Sequence, residues 1–234
     1  FHTCALLDDG DIYCWGSNDE GQLGDLTTTN SNSPVRTTLT GNNDPYSSIS
    51  VGEDFTCGLV HTGSVYCWGD NSQGQLGDGT TTDQPSGKVE ASIPGTALSL
   101  SSATHHTCAV LNDGSLHCWG LNDYGMIGDG TSSSPRTTPT QTILPTGTHA
   151  LGVYANARGT CAVFAEESVS GDFHSAAQYC WGRNWAGEVG DGSTTQRDSP
   201  TRVKSELSPS SLSSGGFHTC AIADHFWPVV CTIL

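Results

Sequence analysis

The chain writes one segment several times over, and that repetition constrains its fold more than any other feature. Residues 1–25 read FHTCALLDDGDIYCWGSNDEGQLGD, and residues 105–129 read HHTCAVLNDGSLHCWGLNDYGMIGD. Alignment on cysteines gives five pairs: Cys4 and Cys14, Cys57 and Cys67, Cys108 and Cys118, Cys161 and Cys180, Cys220 and Cys231. The first cysteines of successive pairs lie 53, 51, 53 and 59 residues apart. Four pairs are followed by Trp-Gly, at Trp15, Trp68, Trp119 and Trp181, and then by Asn18, Asn71, Asn122 and Asn184. Gly21, Gly74, Gly125 and Gly187 come next, and then a Gly-Asp pair ending at Asp25, Asp78, Asp129 and Asp191. A period near 50 residues filled with short strands predicts a propeller or solenoid, one repeat per blade. The expected organisation is one repeat domain, with copies at about 1–47, 48–98, 99–151 and 152–210 and a partial copy at 211–234.

Each cysteine pair fits an antiparallel hairpin. In TCALLDDGDIYC the Asp-Asp-Gly-Asp stretch is a turn between two runs of strand-forming residues. With Cys4 opposite Cys14, Leu6 faces Ile12, Ala5 faces Tyr13 and Thr3 faces Trp15, and later copies obey the same register. Both faces of the hairpin then carry packing groups, which calls for a neighbour on either side, as a blade between blades has. Cross-strand cysteines are expected at about 5.5 Å between Cα atoms, within reach of a disulfide. Five such bridges imply an oxidising compartment and contribute roughly 2–3 kcal/mol each in the chain-entropy model. Two alternatives compete: reduced, buried cysteines, or zinc held with His2, His106 and His218. The histidine position is Phe55 in the second copy and Gly159 in the fourth, a poor ligand set for a metal. The repeated Trp residues are expected to be buried between blades rather than displayed as a glycan platform.

The string HTCALLDDGDIYCWGSNDEGQLGD, followed by a Thr-rich stretch, resembles the regulator-of-chromosome-condensation repeat, over four copies and a partial fifth. The resemblance implies an all-β fold, a β-propeller or an arc of one, with blades of about 50 residues and four antiparallel strands in each. It also implies that the Asn and Gly of G-x-N-x-x-G-x-[LIV]-G-D shape the loop after the third strand, with Asn and Asp bonding to backbone rather than to a ligand. In the second copy SISVG, DFTCGLV and SVYCWG read as three strands, with a fourth in the Ser/Thr/Pro-rich stretch. Three departures stand out. Leu26 follows Asp25 where the other copies have Gly79, Gly130 and Gly192. The fourth hairpin carries nine extra residues within VFAEESVSGDFHSAAQYC. The fifth copy reads CAIADHFWPVVCTIL and never reaches Trp-Gly.

Function classes narrow by exclusion. The net charge is −16, with 24 acidic residues against 8 basic ones, which repels phosphate backbones and anionic lipid surfaces. Neither nucleic-acid binding nor membrane insertion is expected, since no apolar run reaches the roughly 18 residues a spanning helix needs. The chain starts at Phe1 without a charged-then-apolar leader, which reads as a processed chain or a fragment. No nucleophile elbow, zinc-protease or phosphate-loop motif occurs, and DDGD and GDGT lack the ligand spacing of an EF-hand. No enzyme activity and no cofactor are therefore expected. Members of the resembling family include a nuclear exchange factor for a small GTPase and a secreted β-lactamase inhibitor, so fold alone does not choose. Paired cysteines and acidity favour a secreted or surface-displayed scaffold that binds a protein or a glycan through rim loops. An extracellular fibre segment that self-associates through blade edges is the alternative, and an exchange-factor-like regulator fits least. The excursion in the fourth hairpin, with Glu166, Glu167, Asp172, Phe173 and His174, is the candidate contact loop.

Overall fold

The computed structural model describes the backbone of residues 1–39, 44–167, 173–204, 209–214, 219–223 and 230–232, and the side chains of 1–39, 44–166 and 176–204. These residues form five antiparallel sheets in chain order and, among the described residues, no helix. The first sheet has β1 (His2–Leu6), β2 (Ile12–Gly16) and β3 (Ser31–Arg36). The second has β4 (Tyr46–Val51), β5 (Phe55–Val60), β6 (Val65–Gly69) and β7 (Gln84–Glu90). The third has β8 (Ala97–Ser102), β9 (His106–Leu111), β10 (Leu116–Gly120) and β11 (Arg136–Gln141). The fourth has β12 (Thr148–Asn156), β13 (Gly159–Glu167), β14 (Phe173–Gly182) and β15 (Arg197–Arg202). The fifth has β16 (Pro209–Ser214), β17 (Thr219–Ala223) and β18 (Val230–Thr232). Strands β4, β8, β12 and β16 touch in succession, so the sheets stand as blades of a propeller with their leading strands innermost. The Ser/Thr/Pro-rich segments supply the outer strands β3, β7, β11 and β15, which tolerate Pro because their outer edges need no donor.

Hairpin chemistry sets the register. The Gly10 amide bonds to the Leu7 carbonyl and the Leu7 amide to the Asp11 carbonyl, with Gly10 at φ +85°, a type I turn closed by a left-handed glycine. Counting from that pair, Cys4 and Cys14 fall on a non-hydrogen-bonded site, where strands approach most closely. The described disulfides Cys4–Cys14, Cys57–Cys67, Cys108–Cys118 and Cys161–Cys180 accordingly have Cα atoms 4.0–4.1 Å apart. This is closer than the expected 5.5 Å, which belongs to the hydrogen-bonded pairs. Cys220 and Cys231 are cross-strand partners in backbone register, and their side chains lie outside the described residues.

The blades are joined by one recurring arrangement. The Gln22 carbonyl of the first blade accepts from the Thr56 hydroxyl at 2.9 Å and from Trp68 Nε1 at 3.0 Å, both on the second blade. The Gln75 carbonyl accepts from Thr107 at 3.2 Å and Trp119 Nε1 at 2.9 Å, and the Met126 carbonyl from Thr160 at 2.9 Å and Trp181 Nε1 at 2.8 Å. In each case the Thr and the Trp are direct cross-strand partners flanking the disulfide. Gly24, Gly77 and Gly128 hold φ of +70 to +77°, and a Cβ on any of them would meet the next blade's Trp Nε1 at 2.6–2.8 Å. The Gly-Asp glycine is therefore required by both backbone and indole. Trp68, Trp119 and Trp181 are 0–1% exposed. Trp15 departs from the expected burial and is only half-buried, because among the described residues no blade packs on its face. In the fifth sheet Thr232 stands opposite Thr219, at the register position that Trp holds in the earlier blades.

The histidine before Thr-Cys belongs to the same seam. His2 Nε2 lies 2.7 Å from the Thr56 hydroxyl and His106 Nε2 lies 3.0 Å from that of Thr160. Since the Thr160 proton goes to the Met126 carbonyl, His106 must donate from Nε2, leaving Nδ1 bare and without a partner. Burial, with help from neighbouring His105, lowers the His106 pKa to about 4. The zinc alternative falls for the first four pairs, whose cysteines are bonded to each other, and among the described residues no group of three metal-ligating side chains gathers.

Three outcomes follow from this frame. Trp119→Ala should cost about 3–5 kcal/mol in denaturant unfolding, whereas Trp15→Ala should cost less than half as much. Leu26 keeps φ at +68° and is 51% exposed, so Leu26→Gly should raise stability by about 0.5–1 kcal/mol in the same assay. For pH, the folded His106 pKa lies below the unfolded value near 6.5, so the unfolded state binds the proton first. Its contribution is complete above pH 6.5 and falls away toward pH 4, by roughly 3 kcal/mol. The second blade shows the remedy: Phe55 occupies the histidine position, and its ring would meet a Cβ on Gly52 at 1.9 Å. The double variant Ala103→Gly/His106→Phe should thus fold and show a shallower stability loss between pH 6.5 and 4.

Candidate binding surface

The loop after each third strand is built around its Asn. Asn18 Nδ2 donates to the Thr27 carbonyl at 3.0 Å and the Thr29 carbonyl at 3.1 Å, while its Oδ1 accepts from the Leu23 amide at 2.9 Å. Asn71, Asn122 and Asn184 repeat this arrangement, and all four are 0% exposed. The Asp of Gly-Asp turns inward as well: Asp25, Asp78, Asp129 and Asp191 each accept the amide and hydroxyl of the Thr or Ser two residues on. Arg136 and Arg197 add Nε bonds of 2.7 Å to Asp129 and Asp191. At Asp191 burial pushes the pKa up, but the Ser193 hydroxyl and Arg197 outweigh it and hold the carboxyl at about 2. These residues are spent on the loop itself.

What the frame leaves open is the pair of residues at each N-x-x-G tip. These are Asp19-Glu20, Ser72-Gln73, Asp123-Tyr124 and Trp185-Ala186, one pair per blade along a single rim. Around the first two tips the rim is acidic. Partial burial raises the pKa of Glu20, and so do the charges of Asp83, Asp70, Asp54 and Asp19. Gln22 Nε2 donates to Asp54 at 2.9 Å and Gln75 Nε2 to Asp70 at 2.6 Å, tying this part of the rim to the seam. Around the last two tips, which include Asp123, the rim is aromatic: Trp185 meets Tyr124, with Arg183, paired to Glu188, over Trp185 and Arg158 over Tyr124. The sequence contains both tip residues, but nothing in the repeat pattern brings them together.

The fourth hairpin differs from its expected form. The extra residues do not all go to a longer loop on an unchanged hairpin, because β13 runs on to Glu167 and β14 begins at Phe173. The register continues from Cys161↔Cys180 through Phe164↔Ala177 to Glu166↔Ser175 and Glu167↔Phe173. β12 lengthens alongside, pairing Thr148 with Glu166. The ladder persists because its inner face is packed: Phe164 is 0% exposed, with its ring 5.0 Å from Tyr179 and 6.5 Å from Trp181. Of the candidate contact residues, Glu166 accepts from the Tyr179 hydroxyl at 2.9 Å and from Arg202 at 3.3 Å. Glu167, Phe173 and His174 are placed by backbone in β13 and β14, with side chains outside the described residues, and Asp172 lies outside them altogether. The strand register of β15 with β14 runs from Tyr179 to Gly182, and the Val203 amide bonds to the Gln178 carbonyl, so among the described residues β14 runs beyond its outer neighbour.

Comparison with known proteins agrees with this architecture. The family model for the regulator of chromosome condensation (RCC1) repeat matches residues 9–59, 62–110 and 179–222, and a second RCC1 repeat model matches 46–75 and 104–125. The Arabidopsis thaliana ultraviolet-B receptor UVR8 is 31% identical over 205 residues, 87% of this chain and 44% of that protein. The crystal structure of human WBSCR16 superposes with a TM-score of 0.81 at 20% identity, covering 96% of this chain and 56% of that one. Yeast RCC1 (Prp20) bound to Kap60 superposes with a TM-score of 0.78 at 21% identity, over 95% of this chain and 52% of that one. The chain thus spans about half the length of these relatives. By its repeats, which the first model matches over more than half of the chain, and by its blades, this chain belongs to the regulator-of-chromosome-condensation repeat family.

Proposed function

We propose that this chain is a non-catalytic, protein-binding propeller scaffold that works in an oxidising, extracellular setting, as a secreted or cell-surface module. The observation that carries the binding role is the fourth hairpin: a packed ladder that outruns the outer strand β15 and leaves the β14 edge at Phe173–Ala177 without a described neighbour. A strand edge that no other strand covers recruits an extended segment of another protein through backbone hydrogen bonds. The compartment is supported by four described disulfides, one in each of the first four blades. Protein binding is also in keeping with yeast RCC1, which was solved with Kap60 bound. Within this reading the repeats hold the frame, and the stretch from Glu166 to His174 helps choose the partner.

Replacing residues 166–174 by an Asp-Gly turn tests the reading. The variant should unfold within about 1 kcal/mol of the parent, since surface hairpin length weighs little in loop closure, yet lose the proteins that the intact chain retains from extracellular fluid. Retention of the same proteins at the same level would remove the hairpin from partner choice. Retention of glycans alone would replace protein by glycan as the ligand.

A further inference from the structure

The seam between the third and fourth blades encloses an imidazole with no room for a charge. The His106 Nε2 hydrogen goes to the Thr160 hydroxyl, and the Thr160 hydrogen goes to the Met126 carbonyl, which also takes the Trp181 indole N–H. His106 is 1% exposed, and its Nδ1 meets no partner. The charged groups that the surrounding elements bring to this seam are His105, Asp123, Arg158 and Asp198. His105 lies 4.0 Å from Glu53 of the second blade, and Arg158 lies over the Tyr124 ring. Asp123 stands exposed at a loop tip, and Asp198 accepts from the Gln196 amide at 2.7 Å. His105 opposes a charge on His106, and among the described residues no group favours one. A proton on Nδ1 thus makes a buried cation without an acceptor, at a cost that contact with water removes. At the seam between the second and third blades the same position is Phe55, fully buried and unable to take a proton. Two neighbouring seams of one design therefore differ in a titratable group.

We propose that protonation of His106 opens the seam between the third and fourth blades and loosens the fourth hairpin, so that acid releases a partner held there. A proton from solvent enters at Nδ1, the ring turns out to water, and Thr160 loses its donor. The blades themselves stay intact, because Cys108–Cys118 and Cys161–Cys180 staple each hairpin from within. Stacked repeats open at the interfaces between units before the units come apart. Packing carries the opening to the hairpin. Phe164, Tyr179 and Trp181 of the fourth blade share one buried cluster with Val110, Leu116 and Ile127 of the third. An open seam withdraws the third-blade half of that cluster from Phe164, on which the extended ladder rests. The release of a partner rests on the protein-binding reading above, whereas the opening does not.

The full chain carries its own reporters, since the Trp119 indole marks the Phe55 seam and the Trp181 indole marks the His106 seam. Hydrogen exchange of both indole N–H groups is followed by nuclear magnetic resonance from about pH 7.5 to about pH 5, each rate taken relative to free tryptophan at the same pH. An imidazole pKa near 6.5 in the open seam and about 4 in the closed one makes opening roughly 30-fold more frequent at about pH 5. Protection of Trp181 should fall by that factor, and that of Trp119 by less than about threefold. The backbone amides of residues 163–166 should lose protection together with Trp181. His106→Gln keeps a neutral donor for Thr160 and should abolish the fall, as should Ala103→Gly/His106→Phe. The chain with residues 166–174 replaced should keep it, which separates His106 from the hairpin's own His174 and carboxylates. None of these readouts needs a partner, so partner binding can fail while the seam holds. An equal fall at Trp119, no fall at Trp181, or a fall that persists in His106→Gln would each overturn the opening. Loss of the fall on hairpin replacement would place the titrating group in the hairpin and overturn the role of His106. Unchanged amides at 163–166 beside an exchanging Trp181 would overturn the link to partner release.

Discussion

One backbone carbonyl in each of the first three blades governs how the described blades are put together. The carbonyls of Gln22, Gln75 and Met126 each fill both lone pairs with donors from the next blade, a threonine hydroxyl and an indole N–H. Each bond alone is worth about 1 kcal/mol net. The buried indole that comes with it removes roughly 150–250 Å² from water, or about 4–6 kcal/mol. The arrangement succeeds only if the acceptor loop passes close beneath the ring, which demands the left-handed glycine at Gly24, Gly77 and Gly128. Thr-Cys, Cys-Trp-Gly and Gly-Asp thus recur together because they are three parts of one joint.

Other repeated features act within a blade. The disulfides staple each hairpin at a site of close strand approach, and the buried Asn closes the following loop by bonding to its own backbone. Blade, loop and joint therefore take nearly all of the repeated residues, and ligand chemistry has to come from positions where the copies differ. The charge follows the same division. Asp129 and Asp191 are paired with Arg136 and Arg197 inside their loops, while the acids around Glu20 crowd the rim of the first two blades.

The fourth blade departs most from its siblings, and it does so at both ends of its sheet. At one end, among the described residues, β12, β13 and β14 extend together beyond β15. At the other end its loop tip places Trp185 beside Tyr124 of the third blade. A frame of near-identical joints tolerates such changes because neither end lies on the seam carbonyl. The partner hairpin proposed above and the loop tip that carries Trp185 thus lie at opposite ends of the fourth sheet.

The sequence by itself determined the repeat, the hairpin register, the cysteine pairing across the first four hairpins, and the role of Asn18 and its equivalents in shaping a loop. All of these are short-range: a turn of four residues and an alternation of two fix which side chains face each other, so the pattern is readable in one copy and checked by the next. Only the tertiary structure decided which groups meet across a seam. Thr56 and Trp68 reach Gln22 over 34 and 46 residues of sequence, and no periodicity states that distance. The same limit hid the neutral His106, the half-buried Trp15 and the row of Arg158, Tyr124, Trp185 and Arg183. It also hid the continuation of the fourth hairpin through its extra residues, because a strand persists there only when β12 runs beside it and Phe164 finds Tyr179 and Trp181 to pack on. Local alternation sets what a blade is, and blade-to-blade placement sets what its surface can hold.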